Sequence, residues 1–99
     1  MDYKLIVTER AVAELESACL YYNKQQASLG FELEEEIFIL FEMIQENPLL
    51  FPVKFAHIHE AVVKRFPFVI NYEVIGKKII VLSLFHAKQN PRKKVKNKK

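Results

Sequence analysis

The chain has no tryptophan, one cysteine, two glycines and four prolines in 99 residues. Each scarcity excludes something. A lone thiol, Cys19, cannot close an internal disulfide, and no cysteine pair with zinc-type spacing exists. Two glycines, Gly30 and Gly76, cannot form a Gly-rich phosphate loop. No run of eighteen apolar residues is present, so no transmembrane helix is expected and no membrane role follows. The start, MDYKLIVTER, lacks the long apolar stretch of a signal peptide. A cytoplasmic protein without a cofactor is the expectation. There is also no Ser-His-Asp arrangement.

Acidic residues are missing from one end. All twelve lie before position 87, where eight Lys and Arg leave the body at −4. From Lys88 onward there are seven basic residues and no acid. Such basic arms bind nucleic acid or an acidic protein, or serve as solvated tails. The stretch from Arg92 holds six Lys/Arg and one Val, too little apolar surface to offset ordering entropy.

Half of the residues are hydrophobic and eight are Phe, enough for one small core and one domain. Tyr3 to Val7 is β-prone. Thr8 offers an N-cap, and Val12, Leu15, Cys19 and Tyr22 repeat at helical spacing, predicting a helix from Glu9 to about Gln26. Ala27, Ser28 and Gly30 predict a tight break. A second helix follows on Leu33, Ile37, Leu40 and Ile44, with Glu32, Glu34, Glu35 and Glu36 at its dipole-favoured end, and Asn47-Pro48 stops it. Strands are predicted over Ile58–Arg65, Phe68–Ile75 and Ile79–Phe85, with a turn at Gly76. The last is apolar on both faces, so an interior place in the sheet is expected. Period two would place His86 with Ile80, Leu82 and Leu84.

The order β-α-α-β-β-β is an α+β fold, a helical hairpin packed on a mostly antiparallel four-stranded sheet. It resembles the RelE/ParE superfamily of bacterial type II toxin–antitoxin toxins. The resemblance rests on "YYNKQQASLGFELEEEI", "NPLLFP", "KRFPFVINYEV" and "LFHAKQNP", and above all on Phe66-Pro67-Phe68, Tyr72, His86 and Pro91 together. It implies one toxin domain over residues 1–91 with a basic, disordered tail over 92–99. It further implies neutralisation by a cognate antitoxin. Many relatives carry Arg where this chain has His59 or Glu60, and again where it has Gln89. The ribonuclease branch carries Arg within the stretch that here reads Val69, Ile70, Asn71. These losses remove phosphate clamps and favour the ParE-like branch, which implies DNA gyrase as target, with plasmid stabilisation as the associated role. The alternatives are a RelE-like, metal-independent mRNA endonuclease and a decayed toxin that retains only antitoxin binding.

If the chain were a nuclease, His86, Tyr72 and a cation from Arg65, Lys64 or Lys88 would be its parts. The plainer reading is that His86 ends its strand and bonds a backbone carbonyl near Asn90-Pro91. Lys64, Arg65, Lys88, Arg92, Lys93 and Lys94 are the candidate partner-binding cations, with nucleic acid a further possible contact of the tail. His57 and His59 share a strand face by spacing, but no Cys or Asp completes a metal site. Cys19 reads as a small buried hydrophobe, and Tyr21 and Tyr22 as packing residues.

Overall fold

A computed structural model describes residues 3–87. The elements are β1 (Lys4–Val7), α1 (Glu9–Gln25), α2 (Leu29–Glu46), β2 (Val53–Phe55), β3 (Ile58–Val62), β4 (Phe68–Ile75) and β5 (Lys78–His86). The tail over 92–99, with Lys88, Arg92, Lys93 and Lys94, lies outside the described residues.

The five strands form one sheet in the order β1-β5-β4-β3-β2. Only the β1–β5 pairing is parallel, with Val7 opposite Val81. β5 is therefore interior, as its two apolar faces require. The sequence reading lacks β2. Val53, Lys54 and Phe55 are all exposed, so no buried face imposes the alternation that reveals a strand. β2 pairs antiparallel with β3 across a turn in which Ala56 takes φ 51. β3 also stops at Val62, short of the expected Arg65. The Val63 amide bonds Phe68 O at 2.9 Å, so residues 64–67 are consumed in reversing the chain.

The helices form the expected hairpin on one face of the sheet. Thr8 caps α1: its Oγ1 accepts from the Ala11 amide at 3.2 Å and donates to Leu82 O. Leu33, Ile37, Leu40 and Ile44 of α2 are buried, each contributing roughly 1.5–3 kcal/mol for the larger side chains. On α1 the buried positions are Ala11 and Ala18, with Leu15 and Tyr22 beside them. Val12 is exposed and flanks this face rather than defining it.

Gly30 is not part of the break. It lies inside α2, and the interhelical turn is made by Ser28 at φ 73. Its role is close approach: an added Cβ would overlap the Cys19 carbonyl oxygen and sit 2.7 Å from Asn23 Cγ. The Gly30 amide donates to Asn23 Oδ1 at 2.7 Å. Gly76, at φ 61, makes the predicted β4–β5 turn.

β5 carries an extra residue. Asn71 pairs with Ser83 and Tyr72 with Val81, leaving Leu82 as a bulge. The bulge switches faces. Ile79 and Val81 point to the helices before it; Leu84 and His86, opposite Ile70 and Phe68, do so after it. Ile80 faces the other way, so His86 shares a face with Leu84 but not with Ile80. A strict period of two cannot anticipate an inserted residue.

Candidate functional site

Three surfaces come from this arrangement. The first lies on the outer side of the helical hairpin. The close crossing at Gly30 leaves a groove of about 510 Å³ between the helices, walled by Val12, Leu20, Phe31, Phe38 and Phe41. Phe31 is 66% exposed and Leu20 64%, and Glu16 and Glu34 edge the groove. Cys19 lines its floor; burial pushes the thiol pKa up and the Glu34 carboxylate adds to this, which disfavours the reactive thiolate. The phenylalanines recur seven and three residues apart, off the buried stripe. That second apolar stripe is the sequence signal for this groove, and the search for chemistry-bearing residues passes over it.

The second is a groove of about 800 Å³ between α1 and the ends of β4 and β5. His86 stands here, its ring edge-on to Phe68 at 5.2 Å between centroids. Tyr22 meets Phe66 and Phe68 in the same edge-on manner, and the exposed Tyr21 extends the cluster outward. Glu14 closes one end, where its Oε1 accepts from the Leu84 amide at 2.9 Å.

The third is the sheet face that neither helix covers. Glu60 on β3, Asn71 on β4 and Ser83 on β5 stand opposite one another in a transverse row. Asn71 Nδ2 donates to Ser83 Oγ at 3.4 Å, while Asn71 Oδ1 is buried with no hydrogen-bond partner. Glu73 follows along β4 and meets the exposed His57 at 2.7 Å. Lys4 and Lys78 pair at the far end of this face. Thus Glu60 and Asn71 stand side by side on this face and offer acceptors.

The nuclease candidates are not assembled. Tyr72 is fully buried on the helix side; its hydroxyl donates to Pro48 O at 2.7 Å, and burial pushes its pKa up to about 12. Tyr72 pairs with Val81 and His86 with Phe68, so four residues of β4, about 13 Å, separate them. Arg65 belongs to a different contact altogether. It bonds Glu32 at 2.6 Å and Glu36 at 3.5 Å on α2 and lies over the Phe66 ring. The Glu32 hydrogen bond holds its pKa above the ordinary value. Lys64 is exposed in the same turn, and Lys88 lies outside the described residues. The other described arginine, Arg10, bonds Glu14 at 3.1 Å.

His57 and His59 do not share a face. His57 meets Glu73, whereas His59 is buried on the helix side, stacked on Tyr72 at 4.8 Å, with Nδ1 2.7 Å from Phe51 O. Both buried rings thereby fasten the 48–52 connection. Among the described residues no group of three His, Cys, Asp or Glu could hold a metal, and no helix is long and apolar enough to cross a membrane.

Comparison with known proteins gives a consistent answer. Residues 5–91 match the family model described as the ParE toxin of the type II toxin–antitoxin system parDE. Among solved structures, a chain of the chromosomal ParDE system from P. aeruginosa is similar at a TM-score of 0.77 and 19% identity, over 86% of this chain and 96% of that one. The isolated E. coli RelE toxin is similar at 0.65 and 19%, over 97% and 96%. An E. coli RelE mutant in complex with an antitoxin RelBc peptide is similar at 0.66 and 18%, over 95% of each chain. No curated protein sequence matches the chain. The two-helix, mostly antiparallel architecture is the fold of these toxins, with five strands here where four were expected.

Proposed function

The chain belongs to the ParE toxin family of type II toxin–antitoxin systems, and from that premise we propose that it acts by binding a protein, with DNA gyrase the target, and is neutralised by a cognate antitoxin. The observation that carries this reading is the sign of the uncovered sheet face. An RNA-cutting site needs cations fixed over the scissile phosphate, where one such contact is worth about 10²–10³ in rate. Here the described arginines are both held by helix glutamates, and the middle of the face presents Glu60, Asn71, Ser83 and Glu73, with Lys4 and Lys78 away at its far end.

Binding, by contrast, has surfaces available. The hairpin groove exposes several large apolar side chains next to one another, the kind of patch that marks a protein contact. The basic run of the sequence from Lys88, with Arg92, Lys93 and Lys94, supplies charge for steering toward an acidic partner, and the exposed Lys64 adds to it, whereas Arg65 is engaged with Glu32 and Glu36. The test is primer extension on message bound to translating ribosomes, with purified full-length protein added. No new stops are expected. Codon-specific cuts would establish the endonuclease reading in its place.

A further inference from the structure

We infer that the chain pairs with a second copy of itself through the outer edge of β1, the two strands running antiparallel about Ile6 and joining the two sheets into one. The pairing is independent of the toxin's target.

The order β1-β5-β4-β3-β2 leaves β1 and β2 at the two edges of the sheet. An edge strand turns half of its backbone groups away from its neighbour, a template for another strand unless something blunts it. β2 is blunted. It has three residues, follows Pro52, breaks register between Val53 and Phe55, and carries Lys54 at its centre. Two copies paired about that centre would set Lys54 against Lys54, like charges directly opposite. β1 is different. Its four residues hold an unbroken register with β5, from Lys4 opposite Lys78 to Val7 opposite Val81, and no proline interrupts them.

The bonds to β5 fix which groups of β1 face outward. The Lys4 amide donates to Lys77 O at 2.9 Å and the Thr8 amide to Val81 O at 3.1 Å. Strand alternation then directs the backbone of Tyr3, Leu5 and Val7 away from β5. The Tyr3 carbonyl already accepts from Gln45 Nε2 at 2.8 Å, and α1 begins after Thr8. Leu5 and Val7 remain, and this short edge fits itself. In an antiparallel two-fold pairing, Leu5 of each copy exchanges two hydrogen bonds with Val7 of the other, and Ile6 meets Ile6 between them. Lys4 meets Thr8, with the acidic Glu9 next in sequence, so no like charges oppose one another. Leu5, Ile6 and Val7 are only half-buried within one chain, so pairing covers apolar surface still open to water. The hairpin groove has more apolar area, but Glu16 and Glu34 edge it, and self-pairing there would gather four carboxylates. Three residues a side bury less than the roughly 1,200 Å² of a standard interface, so the dimer is weak and forms over about 10–100 µM.

Two measurements on the full-length chain test this. In sedimentation equilibrium the average mass should rise with concentration from 11.7 kDa toward twice that value. Ile6→Lys sets two ammonium groups opposite one another and should hold the mass at one chain throughout. Cysteine pairing in a Cys19→Ser background, under a glutathione redox buffer, reads the register whether or not the lysine variant folds. Ile6→Cys places its thiols within disulfide reach across the two-fold, whereas Lys4→Cys leaves its pair four residues, about 13 Å, apart. The cross-linked fraction should be at least about fivefold larger for Ile6→Cys than for Lys4→Cys. A chain that stays monomeric up to about 1 mM overturns the inference. So does association that a folded Ile6→Lys leaves unchanged, or equal cross-linking at the two positions, or stronger cross-linking at Lys54→Cys, which would place the contact on β2.

Discussion

Replacing Gly30 with alanine sets two effects of opposite sign against each other. In an open helix the change stabilises by about 1 kcal/mol, since glycine is the poorest ordinary helix former. At this crossing the new methyl overlaps the Cys19 carbonyl and crowds Asn23 at 2.7 Å. The first obstacle is backbone, so no rotamer change relieves it and the helices must move apart. Overpacking of this kind costs roughly 1–3 kcal/mol or more. Separation also strains the Gly30 amide bond to Asn23 Oδ1, worth about 1 kcal/mol. The sum, less the propensity gain, is a destabilisation of about 1–3 kcal/mol. For a domain of this size that lowers Tm by about 4–24 °C. Urea unfolding at constant m-value reads the same quantity. A Gly30→Ala protein with unchanged or raised stability would show that the two helices do not cross as described, and the hairpin groove would lose its geometry with them.

Other expectations follow from single contacts. Tyr72→Phe should cost about 1–3 kcal/mol in urea unfolding, because Pro48 O loses its donor inside the core. The raised Tyr72 pKa makes stability pH-dependent in one direction. The folded form holds its proton longer than the unfolded chain, so stability is constant below about pH 10 and falls between about 10 and 12, by on the order of 2–3 kcal/mol at 1.36 per unit; a flat alkaline profile would contradict its burial. Thr8→Ala should cost about 1 kcal/mol by loss of the α1 cap, measured by thermal melting. His86→Ala should lower Tm modestly through its lost packing on Phe68 and leave growth inhibition intact in a host expressing the chain alone.

The sequence and the structure agree where burial imposes a period. Leu33, Ile37, Leu40 and Ile44 announce α2 because one side of it meets the sheet, and Phe68, Ile70 and Tyr72 announce β4 for the same reason. β2 leaves no such trace, since all three of its residues are exposed. The Leu82 bulge is equally silent, and it alone decides which face receives His86. Gly30 is visible as a glycine, but whether it turns a chain or admits a neighbour depends on how closely α1 approaches it at Cys19 and Asn23, which the sequence pattern does not state. The site is the least legible part. Glu60, Asn71 and Ser83 come from three strands, and only pairing register brings them into one row. Arg65 reads as a free cation until α2 is seen to supply Glu32 and Glu36.

The central claim is that this toxin acts on a protein and not on RNA. Its most direct measurement is a DNA supercoiling assay with purified bacterial gyrase, titrated with the full-length chain. The account predicts dose-dependent loss of supercoiling that is reversed by the cognate antitoxin and retained by His86→Ala. Unimpaired gyrase at every concentration, with a protein that nonetheless arrests growth in cells, would contradict it.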